Sequence, residues 1–114
     1  ILNINGSIHW LSPSMKGLFS YFVAQSYHGG YSSWPSRITE RLGNDVKDRI
    51  IYTETFENAV ANQGNFTRYA DFIVNTLDGV AGGIGAYHIN ADAAEKNEYR
   101  NVRKAISIMN PPIK

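Results

Sequence analysis

Cysteine is absent from the sequence. Its absence excludes disulfides, thiolate metal sites and cysteine nucleophiles. Charge is sparse and nearly balanced: charged residues make up 18% of the chain and the formal net charge is +1. There is no basic stripe to form the phosphate footprint of a nucleic-acid binder. No apolar run approaches the roughly 18 residues that mark a membrane span, and no signal-peptide pattern opens the chain. The three histidines, His9, His28 and His88, stand far apart. None has a second ligand at helical spacing, which argues against a metal site. G-x-S-x-G is missing, so Ser26 and Ser32 have no nucleophile-elbow context. Gly82-Gly83-Ile84-Gly85 is not a dinucleotide fingerprint, because it sits inside a strand-like run rather than opening a helix. The reading calls for no cofactor.

What is there suffices for a packed domain. Hydrophobic residues make up 43% and aromatic residues 12%, which argues for a core and against disorder. A chain of 114 residues is one domain or part of one. It opens at Ile1-Leu2-Asn3-Ile4 without an initiator methionine, already in a strand-like pattern. An N-terminally incomplete chain is therefore expected.

The organising stretch is Phe19 to Tyr27, FSYFVAQSY. Side chains alternate along a strand, so Phe19, Tyr21, Val23, Gln25 and Tyr27 share one face. The near-continuous apolar character suits a parallel strand covered on both faces. Gln25 and Tyr27 put an amide and a phenol at its C-terminal end, where α/β proteins place their sites.

Around it, Ile1 to His9 alternates as a strand, with Leu2 and Ile4 on one face and Asn3 and Asn5 on the other. Pro13 to Leu18 fits a short helix. The excursion from His28 to about Asp48 holds Tyr31 and Trp34 among glycines, which favours a functional loop. Within it, Pro35 to Leu42 reads as a helix stopped by Gly43. Arg49 to Glu54 is a third strand, and Phe56 to Gln63 a second excursion. Phe66, Ala70, Ile73 and Leu77 form the stripe of a helix over Asn65 to Leu77. Gly82 to Ile89 is a fourth strand, whose glycines suggest crowding by neighbouring backbone or ligand. Asp92 and Glu95 signal a last helix start, and Tyr99, Val102, Ile106 and Met109 form its apolar stripe. Asn5-Gly6-Ser7 and Asn65-Phe66-Thr67 match the glycosylation sequon, a pattern common by chance.

This alternation predicts an α/β fold with βαβ units and a mainly parallel sheet. Four such units are about half of a TIM-type β/α barrel, which typically takes about 250 residues. A small open α/β sheet, complete in itself, fits the same periodicity. Gln25, Tyr27, Glu54, Tyr87 and Asn90 all fall at or near predicted strand ends. Two amides, two phenols and a carboxylate suit a neutral, hydroxyl-rich or amide-bearing ligand such as a sugar. Each of them also has a plainer reading, since most buried polar groups are paired within the fold.

The stretches YFVAQSY, IIYTETFEN and GGIGAYHIN, and the closing helix with AISIMNP, resemble the C-terminal half of family 18 glycoside hydrolases. The likeness is strongest to the endo-β-N-acetylglucosaminidases of Bacteroides-type bacteria, and it runs over nearly the whole chain. It implies that residues 1–114 are a half-barrel carrying strands five to eight. Gln25 and Tyr27 would then occupy the sixth-strand motif, with Tyr27 against the substrate's N-acetyl group. His28 follows where many chitinases carry an acid, a departure from that subgroup. Glu54 would be a seventh-strand polar contact, and Tyr87 the eighth-strand aromatic beneath the sugar. Asn90 falls where that motif often has Asp.

The family's D-x-x-D-x-E acid motif does not occur in this chain. The implied chemistry is substrate-assisted cleavage of the β-1,4 GlcNAc-GlcNAc linkage in N-glycan cores, an exception to the two-carboxylate scheme. This chain would bind and position, and the general acid would come from the N-terminal half. The resemblance also implies a secreted, periplasmic or cell-surface setting. The partners it implies are a GlcNAc-containing oligosaccharide and either the missing half-barrel or a second copy. The competing expectation is a non-catalytic carbohydrate-binding module on a degenerate barrel.

Overall fold

The computed structural model describes residues 1–27, 30–56, 59–93 and 98–113, the side chains of 59–65 and 91 apart. Four strands, β1 (Leu2–Ile4), β2 (Phe22–Gln25), β3 (Ile50–Thr55) and β4 (Gly83–Tyr87), pair in the order β1-β2-β3-β4. Every pairing is parallel. Helix α1 (Trp34–Leu42) returns the chain from β2 to β3, and α2 (Ala59–Asn75) from β3 to β4. Helices α3 (Asn90–Ala93) and α4 (Arg100–Met109) follow. Four parallel strands alternating with helices make a partial β/α barrel unit, and its sheet is open. Among the described residues, no helix is long and apolar enough to cross a membrane.

Strand register sorts the side chains into two faces. Ile4, Ala24, Tyr52 and Ile84 lie in one row, with Leu2, Phe22 and Ile50 in the row before it. These residues point at the helices. Ile4, Phe22, Ala24, Ile50 and Tyr52 are buried with Trp34, Ile38 and Leu42 of α1 and Tyr69 and Ile73 of α2. Each fully buried Ile or Leu contributes about 1.5–3 kcal/mol. Ile38 and Leu42 meet the sheet together because residues four apart share a helix face. Gly43, at φ +97°, ends α1 with its N–H donating to the Thr39 carbonyl.

The first two strands are shorter than their alternating patterns predict. Strand β1 pairs on one side only, from Leu2↔Phe22 to Ile4↔Ala24, and Gly6 turns the chain away at φ +58°. Strand β2 stops where the Ser26 N–H turns back onto the Ala24 carbonyl. The helices cover one face of β2, not the two expected from its apolar run.

From Gly30 onward, the excursion after β2 folds into helical turns packed on the core. Trp34 is buried in the core, and Tyr31 packs on Tyr69 and Phe72 with centroids 4.3 and 5.1 Å away. Its aromatics serve packing. The second excursion is helical from Ala59 onward, although Gly64 is a poor helix former. Docking of Phe66 and Ala70 in a second core with Phe56 and Ala105 outweighs local propensity there.

The last helix keeps Val102 and Met109 of the predicted stripe packed on the core but is rotated away from the rest of it. Asn101 and Ala105 are buried, whereas Ile106 is 55% exposed. Fully buried Asp92 explains the rotation. Its carboxylate accepts the Asn101 N–H at 3.2 Å, the Asn101 Nδ2 at 2.8 Å and the Val102 N–H at 3.0 Å. It satisfies donors that a helix start leaves open and draws Asn101 inward. Asp92 thus lies in the first turn of the short α3 and also caps α4 from a distance. Its expected companion, Glu95, lies outside the described residues.

Candidate functional site at the C-terminal end of the sheet

The face away from the helices carries Asn3, Val23, Ile51 and Gly83 in one row, and Gln25, Thr53 and Gly85 in the next. Thr55 and Tyr87 pair beyond them. Strand β4 brings no side chain to this face until Tyr87. A Cβ at Gly85 would sit 3.2 Å from the Thr53 Cγ2, so the glycine both permits close strand contact and leaves space above. Gly82 has a separate role, because a Cβ there would meet the Arg49 and Ile50 backbone at 3.0–3.2 Å. It is crowded by backbone, not by the site.

A hollow of about 430 Å³ results, lined by Asn3, Gln25, Tyr27, Thr53 and Tyr87 with Val23 and Ala86. Tyr27 and Tyr87 stand across it with centroids 6.4 Å apart and planes inclined by 29°. Tyr87 is 51% exposed, with the His88 ring packed edge-on at 5.3 Å. Hydrogen bonds stiffen the floor. The Thr53 Oγ1 donates to the Ala24 carbonyl at 2.8 Å, and the Ser26 Oγ to the Thr53 carbonyl at 3.1 Å. The Phe56 N–H donates to the Tyr87 carbonyl, tying the ends of β3 and β4 together.

The structure gathers three of the predicted residues, Gln25, Tyr27 and Tyr87, at this hollow. It does not bring Glu54 there. Glu54 is one residue out of phase with Thr53, so it points to the helix side, where it is fully buried. Its Oε1 accepts the Thr55 N–H at 2.8 Å. Beside it, the Tyr69 hydroxyl donates to the Ser26 carbonyl. Burial first, and Glu54 after it, push the Tyr69 phenol well above its ordinary pKa of 10. Asn90 opens α3 as an exposed residue outside the hollow's lining. His28 lies outside the described residues.

Asn3 and Thr53 also line this hollow and were not singled out from the sequence. The alternation of β1 already put Asn3 opposite Leu2 and Ile4. Thr53 was masked by its charged neighbour. The lining offers amides, hydroxyls and an aromatic pair, and no carboxylate among the described residues. Such a lining has the chemistry of a site for a neutral ligand held by hydrogen bonds and ring contact.

No family model matches the chain, and no curated protein matches it. Among solved structures it superposes on BT1044, a selenomethionyl protein with one glutamate replaced by glutamine, at a TM-score of 0.67 and 23% identity. The match covers 88% of this chain and 36% of that one. The chain therefore spans about a third of the length of the protein it resembles, and the likeness is one of fold.

Proposed function

We propose that this chain carries the sugar-positioning half of a glycoside hydrolase acting on the GlcNAc-GlcNAc core of N-glycans. The observation that carries the reading is the convergence of Gln25, Tyr27 and Tyr87 on one hollow at the C-terminal end of a parallel sheet, where β/α barrels hold their chemistry. The resemblance of the YFVAQSY and GGIGAYHIN stretches to family 18 enzymes supports it. In this reading the Tyr87 ring lies under the sugar and the Tyr27 hydroxyl donates to the acetamido oxygen. That bond holds the acetamido group close to the anomeric carbon, which it attacks. Protonation of the leaving oxygen falls to a glutamate on the complementary half-barrel, since none lines this hollow among the described residues. Glu54 supports the fold in this reading rather than touching the sugar. A secreted or cell-surface setting goes with such a substrate.

A second reading is favoured by that same absence of a carboxylate: a carbohydrate-binding module without hydrolysis. One experiment separates the two readings. N,N′-diacetylchitobiose is titrated into the chain, and a high-mannose N-glycopeptide is incubated with the chain alone and with a complementary half-barrel carrying D-x-x-D-x-E. Binding by the chain, with cleavage only in the complemented sample, is the expected result. Binding without cleavage in either sample favours the module. No binding at Tyr27 and Tyr87 contradicts both.

A further inference from the structure

A second cleft, of about 420 Å³, opens on the outer side of the sheet between α1 and the end of α2. Tyr52 of β3 lines it together with Ser36 and Thr39 of α1, Lys47, Leu77 and Asp78. Tyr52 is 2% exposed, and its hydroxyl has no hydrogen-bond partner among the described residues. Buried tyrosine hydroxyls usually find one. We infer that this cleft is a binding site for a neutral, hydroxyl-bearing ring such as a saccharide, anchored on the Tyr52 hydroxyl.

The donor and acceptor pattern sets the ligand class. Burial pushes the Tyr52 phenol well above its ordinary pKa of 10, so it remains a donor and asks for an acceptor. The Thr39 Oγ1 already donates to the Pro35 carbonyl at 2.8 Å, and the Ser36 Oγ to the Ser33 carbonyl at 3.1 Å. Both hydroxyls keep only lone pairs for a ligand, so they ask for donors. A group that both accepts and donates fits this set, and a hydroxyl does both. Lys47 and Asp78 bring one charge of each sign to the cleft, which favours no net charge on the ligand. Leu77 gives the ring an apolar surface. The cleft volume lies within the range of small-molecule sites. The site is separate from the hollow above, and it stands or falls independently of the function proposed for that hollow.

The test is an NMR titration of the full chain with methyl α-mannopyranoside, which lacks the acetamido group that the hollow is proposed to hold. The methyl signals of Thr39 and Leu77 should shift saturably, and Tyr52→Phe should weaken the binding by about two- to tenfold, the value of one hydrogen bond. Tyr52→Phe keeps the ring, and its thermal midpoint should be unchanged or higher. Leu77→Trp, which fills the cleft, should abolish the shifts. Unmoved signals, or shifts equal in Tyr52→Phe and the parent chain, overturn the proposal. Shifts with isobutyrate and none with the glycoside overturn the ligand class.

Discussion

Tyr27 and Tyr87 face each other at 6.4 Å although the whole of β3 lies between their strands. The pairing depends on the short side chains between them, Thr53 on β3 and the bare Gly85 on β4. Neither ring is a core residue, since Tyr27 is half-buried and Tyr87 is exposed. Tyr87→Ala should therefore weaken chitobiose binding about tenfold, or ~1.4 kcal/mol, while leaving the thermal midpoint nearly unchanged. Calorimetric titration beside a melting curve checks both halves of that statement.

Glu54 should behave in the opposite way. Its carboxylate is fully buried and accepts the Thr55 N–H. Glu54→Ala leaves that donor without its partner, at a cost of roughly 1–3 kcal/mol, and adds a cavity. Urea denaturation should show a lower midpoint. A variant of parental stability with lost sugar binding would return Glu54 to the site.

Asp92 holds the first turn of α4 through three accepted hydrogen bonds. Asp92→Ala should destabilise by about 1–3 kcal/mol, because two backbone donors and an amide lose their charged acceptor. Hydrogen exchange should accelerate first at Asn101 and Val102. Uniform acceleration along the chain would contradict a local capping role.

Two pH effects follow from the charges. The Asp45 carboxyl is held below its ordinary value of 3.8, chiefly by the hydrogen bond from Lys16 across 3.1 Å. A lowered folded pKa means stability present above the unfolded value and lost as pH falls through the folded one. Asp45 is exposed, so the effect on stability is small. Lys16→Ala should raise the carboxyl's titration midpoint, read by NMR. Tyr52 and Tyr69 have the opposite sign. Burial raises both phenols above 10, so stability is present below pH 10 and is lost as pH rises beyond it. Ultraviolet titration should find both ionising last, together with unfolding.

Much of the architecture was legible because it rests on periodicity. Leu2 and Ile4, and Phe66, Ala70 and Ile73, lie on the faces their spacing predicts. Gln25, Tyr27 and Tyr87 stand out as candidates because a strand's polar end contrasts with its apolar body, and all three line the hollow. Glu54 stands at the expected strand end, but its side chain lies on the face opposite Thr53, which the strand-end position alone does not reveal. Asn3 and Thr53 hide for the same reason, since their role depends on register with neighbouring strands. The face of α4 was legible in part: Val102 and Met109 pack on the core, whereas the burial of Asn101 depends on Asp92, outside the helix.

The most direct test of the central claim is a titration of isotope-labelled chain with N,N′-diacetylchitobiose, followed at the side-chain amides of Asn3 and Gln25 and the rings of Tyr27 and Tyr87. The account predicts saturable shifts at all four residues, and their loss in Tyr87→Ala. Shifts confined to residues elsewhere, or none at saturating sugar, would contradict it.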